Sequence, residues 1–100
     1  MVEVSGQSNV GRERERAFDH LVSRQERRRL GLLLREARVE VGLKQVDLAE
    51  RLGVPRAVLS KMEGGHRAVE VLELRAVCTA LGLTLEAFAR RLDDALTGPG

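Results

Sequence analysis

Apolar residues recur every three or four positions along much of this chain, the spacing that places them on one face of an α-helix. The clearest series follows Ser23, which forms the pattern of a capping box with Glu26 three residues later. The series ends at Gly42, a residue type that favours the left-handed conformation closing many helices. Its members are Leu30, Leu33, Leu34, Ala37 and Val41. We therefore expect an amphipathic helix between Ser23 and Gly42.

Two weaker patterns precede this helix. Residues 1–11 are polar, contain glycine and have no periodicity, which indicates a flexible arm. Residues 12–22 alternate charges and then offer Phe18, Leu21 and Val22 as a weak apolar stripe, which predicts a short helix. Because no helix breaker separates this segment from the next, the alternative is one continuous helix. We expect residues 1–22 to lie outside a domain formed by residues 23–97.

Two short helices joined by a tight turn are predicted next, from Gln45 to Leu52 and from Arg56 to Glu63. Gly53 lies in the turn between them, where it can adopt a positive φ. Helices joined so closely must cross steeply, and a small residue, Ala49, lies where they meet. The apolar residues expected to surround this crossing are Val46, Leu48, Leu52, Leu59 and Met62.

The outward face of the second short helix combines cations with small side chains. It carries Arg56, Ala57, Ser60 and Lys61, a combination that suits a DNA groove. At its start we expect Pro55 at the first helical position, where the N–H that proline lacks would be unpaired in any case.

Two further helices follow a loop that begins at Gly64. The first is predicted from apolar residues between Val71 and Leu81 and is closed by Gly82. The second has Thr84 as its N-cap. Its apolar side comprises Leu85, Phe88, Ala89, Leu92 and Leu96.

Composition favours one small all-α domain. The 100 residues include 43% hydrophobic residues but only two phenylalanines as aromatics, so a core of Leu, Val and Ala on helices is expected rather than a β-sandwich. The single cysteine, Cys78, excludes an internal disulfide and a cysteine-based metal cluster. No metal-ligand cluster and no nucleophile–base pair is recognisable, so we expect neither a cofactor nor catalysis. Without a signal peptide or membrane span, a cytoplasmic location is expected.

Charge points to nucleic acid. The net charge is +2, but the pI is about 9.3 and arginine dominates over lysine, which favours bidentate binding of phosphate and guanine. The arginine-rich region from Arg12 to Arg29 has two interpretations, a second phosphate-binding surface or a self-paired solvated face. Interleaved acids favour the second interpretation. They are Glu13, Glu15, Asp19 and Glu26.

The stretch LREARVEVGLKQVDLAERLGVPRAVLSKMEGG, followed by an apolar helix ending in ALGL, resembles the phage-repressor-like (Cro/XRE-type) helix-turn-helix domains of bacterial transcription regulators. The resemblance extends from about Glu26 to Leu92. It implies a five-helix, lambda-repressor-like bundle whose helix from Arg56 enters the major groove. It also implies that Gln45 lies against a phosphate and that Arg38 and Glu63 form a buried ion pair.

From the motif we assign DNA contacts to individual residues. Arg56 is best placed for a bidentate contact to guanine, and Ala57 and Lys61 complete the base-reading set. Lys44 stands where a capping side chain is usual, so about 1 kcal/mol of capping energy is lost and a phosphate contact is expected to replace it. The residues assigned to phosphates are Lys44, Gln45, Ser60, His66 and Arg67.

These assignments predict a sequence-specific transcription regulator that binds double-stranded DNA, at a pseudo-palindromic operator, as a homodimer. The first choice for the dimer surface is Phe88, Leu92 and Leu96, and the second is Phe18, Leu21 and Val22. The alternatives are an antitoxin-type module, whose N-terminal segment binds a protein partner while DNA binding is autoregulatory, and a restriction-modification controller.

Overall fold

The computed structural model describes residues 17–98, and this part of the chain contains five α-helices and no β-strand. The helices are α1 (Arg24–Val41), α2 (Gln45–Leu52), α3 (Arg56–Glu63), α4 (Val71–Ala80) and α5 (Leu85–Thr97). Helix α1 packs against α3 and α5, α2 packs against α3 and α4, and α4 packs against α5. The all-α, five-helix prediction is therefore confirmed. None of the described helices is long and apolar enough to cross a membrane.

A capping box fixes the start of α1. The backbone of Ser23 is extended (φ −84°, ψ 161°), and its hydroxyl accepts a hydrogen bond from the Glu26 N–H at 3.1 Å. The Glu26 carboxylate in turn accepts from the Ser23 N–H at 2.9 Å. Residues 17–21 form a turn, in which the Phe18 carbonyl accepts from Leu21 at 2.8 Å, so a continuous helix through Ser23 is excluded. The arm at residues 1–11 and residues 12–16 of the expected short helix lie outside the described residues.

The turn between α2 and α3 depends on Gly53, which adopts φ 68° and ψ 32°. A Cβ is disfavoured in this left-handed conformation, so glycine closes α2 without strain. The chain reaches α3 through Pro55, which is the N-cap (φ −62°, ψ 143°) and not the first helical residue as the sequence had suggested. The fixed φ of proline fits both positions, and only the observed ψ distinguishes them.

The core lies between the five helices, each of which contributes at least one buried apolar side chain to it. Its largest fully buried side chains are Phe88, Leu34, Leu48, Leu59 and Cys78. Val46, which was expected in this core, is 46% exposed. At 3.6 residues per turn, Val46 is rotated by about 200° from Leu48, which is buried. Its three-residue spacing from Ala49 therefore does not place it on the buried side of the helix.

Helices α1 and α3 approach each other closely at Gly31, which is buried. A Cβ built on this glycine would collide with the carbonyl oxygen of Glu63 and would lie 2.7 Å from that of Met62. Both oxygens belong to the last turn of α3. The lack of a side chain at Gly31 therefore determines how near α3 lies to the first helix.

Candidate nucleic-acid interface

The outward face of α3 carries four of the residues that the sequence assigns to DNA. Arg56, Ala57, Ser60 and Lys61 are all exposed, whereas Leu59 on the opposite side is fully buried. The burial of one side fixes the rotation of this short helix about its axis. Two cations, a hydroxyl and a methyl group are therefore presented together to solvent.

Behind this face, Arg38 and Glu63 form an ion pair between α1 and α3. The Arg38 Nε donates to Glu63 Oε2 at 2.7 Å and its Nη2 donates to Oε1 at 3.0 Å. The third donor, Nη1, reaches the Leu43 carbonyl at 2.7 Å. Both residues are buried, and hydrogen bonding to Glu63 raises the pKa of Arg38 above its ordinary value. The pair connects α1 with α3 and, through Leu43, with the loop that precedes α2. It fixes the positions of these three parts more than it adds stability.

Gln45 extends this ion pair to the surface. Its Nε2 donates to Glu63 Oε1 at 3.0 Å, and its Oε1 accepts from Arg56 Nε at 3.3 Å. Each end of the amide has a partner, so its orientation is defined. The sequence assigned Gln45 to a phosphate only, and this link to Arg56 was missed because it depends on a contact between separate helices. The amide nitrogen keeps a second hydrogen for a further acceptor.

The N-terminus of α2 lacks a side-chain cap. Lys44 has extended backbone (φ −82°, ψ 163°), and its side chain makes no capping hydrogen bond. The Asp47 carboxylate accepts from the Lys44 N–H at 3.0 Å, which supplies one half of a capping box. The ammonium group of Lys44 cannot accept a hydrogen bond from the backbone N–H groups at the start of α2. The N-cap side chain therefore does not compete with an anion for these N–H groups.

A cleft of about 640 Å³ lies between α1, α2 and α3. Four cationic side chains and one carboxylate contribute to its lining, a net charge of +3. The lining residues are Arg35, Arg38, Lys44, Gln45, Val46, Arg56, Ser60, Glu63 and Gly64. Arg35 was missed by the sequence analysis, although its position three residues before Arg38 places both on one side of α1.

The loop after α3 holds the two remaining residues assigned to phosphates. His66 is exposed. The guanidinium of Arg67 donates to both carboxylate oxygens of Glu73, at 2.9 and 2.8 Å. These hydrogen bonds, together with one from the Glu70 N–H, lower the pKa of Glu73 from 4.5 to about 2. The charge of Arg67 is therefore compensated within the protein, whereas within residues 17–98 Arg56 and Lys61 of α3 form no ion pair.

The residues expected at a dimer surface differ in their exposure. Phe88 is fully buried within the core and does not belong to such a surface. Leu92 is partly buried and Leu96 is 41% exposed, because each step of four residues rotates a side chain by about 40° around the helix. Before α1, Phe18 and Leu21 are each 63% exposed, and Val22 is 36% exposed.

Sequence comparison identifies relatives of this fold. A profile of the helix-turn-helix family HTH_3 matches residues 34–93. The chain is 40% identical over 50 residues to an uncharacterised HTH-type transcriptional regulator of Methanothermobacter thermautotrophicus, covering 50% of this chain and 72% of that protein. It is 42% identical over 53 residues to the propionyl-CoA carboxylase regulator of Cereibacter sphaeroides, covering 53% of this chain but only 12% of that much longer protein.

Solved structures show the same architecture. The clp gene regulator ClgR from C. glutamicum is 30% identical with a TM-score of 0.66, over 72% of this chain and 92% of that one. An XRE-family like protein from Pseudomonas syringae pv. tomato is 36% identical with a TM-score of 0.65, over 73% and 88% of the two chains. The chain therefore belongs to the helix-turn-helix family of phage-repressor-like (Cro/XRE-type) DNA-binding transcription regulators.

Proposed function

We propose that this protein recognises a specific, pseudo-palindromic operator as a homodimer, acting in the cytoplasm. The observation that carries the proposal is the exposed face of α3, on which Arg56 is oriented by Gln45 at 3.3 Å. A guanidinium held in this way is suited to a bidentate contact with guanine. Ala57 is assigned to a thymine methyl group, and Lys61 completes the base-reading set.

Contacts to the DNA backbone position α3 in the major groove. We assign them to exposed or cleft-lining donors around the recognition face. These donors are Lys44, Gln45, Ser60 and His66. Arg67 is assigned a lesser part, because a phosphate would have to compete with Glu73 for its guanidinium.

Dimerisation supplies the specificity that one short helix lacks. A single recognition helix reads only a few base pairs, and a twofold dimer places two such helices about 34 Å apart, one turn of DNA. We propose the exposed side of α5 as the dimer surface. It combines the apolar residues Leu92 and Leu96 with Glu86, Arg90 and Asp93, which line a shared depression of about 420 Å³. Charges of both signs allow the same surface to pair with its own copy.

Selection of bound duplexes from a random pool, at a stated salt concentration, tests this function. We expect a consensus with twofold symmetry, and we expect Arg56→Ala to lose preference at one position of each half-site, by about 1–3 kcal/mol. Arg75→Ala is the matched control, because Arg75 is exposed on α4, a helix that packs against α2 and α5, and does not line the cleft. An enriched pool without a consensus would refute sequence-specific recognition.

A second role is proposed for the segment before α1. The exposure of Phe18 and Leu21 favours a protein partner there, as in an antitoxin-type module. Deleting residues 1–22 tests this idea. Loss of a co-purified partner with retained dimerisation and DNA affinity supports it, whereas loss of dimerisation assigns the segment to the dimer instead.

A further inference from the structure

The cleft contains a cation, Arg35, that lies outside the two helices of the helix-turn-helix motif. It lies on α1, is exposed, and shares the cleft lining with Lys44 and Gln45 of α2. Among residues 17–98, it takes part in none of the ion pairs. Its neighbours one turn away on the helix are Gly31, Leu32, Arg38 and Val39, none of which is acidic. No carboxylate therefore lies one turn away from it on α1, and on its other side Arg35 borders a second depression together with Glu36 and Glu40.

The carboxylate in the cleft does not neutralise this charge. Both oxygens of Glu63 accept hydrogen bonds from Arg38, and one of them also accepts from Gln45. Glu63 is also buried, whereas Arg35 and Lys44 are exposed at the mouth of the cleft. The excess positive charge therefore lies on the solvent side, where an anion can approach it.

The donors that line this cleft come from different parts of the chain, and their chemistry is complementary. Arg35 offers a planar guanidinium with paired N–H groups, Lys44 offers an ammonium, and Gln45 retains one amide hydrogen. A phosphodiester has two free oxygens, which suits a guanidinium on one side and point donors on the other. The fixed distance between α1 and α3, set at Gly31 and by the Arg38–Glu63 pair, holds Arg35 in place relative to the recognition helix.

We propose that Arg35 binds a DNA backbone phosphate, which it shares with Lys44 and Gln45, so that one phosphodiester is held between α1 and α2. The inference rests on the proposed function, because it presumes that the face bearing α3 meets DNA. It makes α1 a part of the interface. A contact of this kind fixes the register of the protein on the duplex and carries no base information.

The test measures binding to a mixed-sequence duplex over a series of salt concentrations, for the wild type, Arg35→Ala and Arg75→Ala. The slope of log K against log salt is negative, and each lost phosphate contact decreases its magnitude by about 0.9. We expect Arg35→Ala to show this decrease, and to weaken binding to the selected operator and to the mixed-sequence duplex by the same factor. Arg75→Ala retains the wild-type slope. Thermal unfolding confirms that each variant is folded, which the exposure of both side chains favours.

Methylphosphonate substitution, which neutralises one phosphate at a time, then locates the contact. At one position the neutral linkage weakens the wild type more than it weakens either Arg35→Ala or Lys44→Ala, because each variant has already lost one contact to that phosphate. If the wild type binds DNA while Arg35→Ala keeps its slope and affinity, the inference is wrong and the proposed function stands. A change of base preference in Arg35→Ala also overturns it. Wild-type binding that does not depend on salt would refute the proposed function itself.

Discussion

Replacing Gly31 with alanine tests the close approach of α1 and α3. Glycine inside a helix ordinarily costs roughly 0.5–1 kcal/mol relative to alanine, so the change should stabilise α1 if nothing lay nearby. Here the new methyl group would collide with the Glu63 carbonyl and lie 2.7 Å from the Met62 carbonyl oxygen. These backbone atoms cannot rotate away, and overpacking costs roughly 1–3 kcal/mol. We expect Gly31→Ala to be destabilised by about 1–2 kcal/mol net.

The chain contains no tryptophan or tyrosine, so far-UV circular dichroism is the suitable probe of unfolding in urea and on heating. A loss of this size corresponds to a decrease in Tm of about 4–15 °C for a domain of this length. The reverse change at the exposed helical residue Ala76, Ala76→Gly, measures the glycine cost in the same fold. A Gly31→Ala variant that is as stable as the wild type, or more stable, would show that α1 and α3 are not in contact at this point.

Four further predictions follow from the contacts described. Glu63→Gln leaves Arg38 buried without a charge partner and should lower the unfolding free energy by about 3–5 kcal/mol, measured in urea. Gln45→Ala should reduce base preference as well as overall affinity, measured on operator variants, because Gln45 orients Arg56. Since the folded-state pKa of Glu73 is about 2 against an ordinary 4.5, its contribution to stability is present above pH 4.5 and is lost as the pH falls towards 2. Arg67→Ala should reduce this acid sensitivity, and the part due to the hydrogen bond from the Glu70 N–H should remain. Leu96→Glu should give a monomer in sedimentation experiments.

Each of these predictions has a contrary outcome. Wild-type stability in Glu63→Gln would mean that Arg38 is solvated, and a uniform loss across operator variants in Gln45→Ala would restrict that residue to a phosphate. An Arg67→Ala variant that keeps the wild-type dependence of stability on pH would show that Arg67 does not contribute to the acid response of Glu73. A dimeric Leu96→Glu variant would exclude α5 as the proposed dimer surface.

Local signals in the sequence predict the helices well. The bounds of α2 and α3 agree with the expected ones apart from Pro55, which is the N-cap of α3, because Gly53 and the residues around it determine the turn through their own backbone preferences. The start of α1 is predicted equally well, since both partners of its capping box lie within four residues. Such features depend on neighbours in the chain and not on the packing of the whole domain.

Features that depend on packing between helices were predicted less well. Periodicity places Phe88, Leu92 and Leu96 in one series, but the position of α1 and α4 beside α5 decides that only Phe88 is fully buried. The contact of Gln45 with Glu63 joins residues 18 positions apart, and no local pattern indicates it. Gly31 in the sequence resembles a tolerated helical glycine, and its role becomes apparent only when α3 lies against it.

Arg38, Glu63, Gln45 and Arg56 form a series of hydrogen bonds that runs from the buried interior to the exposed face of α3. The buried Arg38 and Glu63 stand at the inner end of this series, and the exposed Arg56 stands at its outer end. A substitution at Arg56 removes only the last member, so Gln45 and the buried pair keep their mutual hydrogen bonds. Ala57 and Lys61 have no part in the series. Under the proposed assignment of Arg56, Ala57 and Lys61 to bases, substitutions at these three exposed positions change the preferred DNA while the hydrogen bonds that join α1, α2 and α3 are kept.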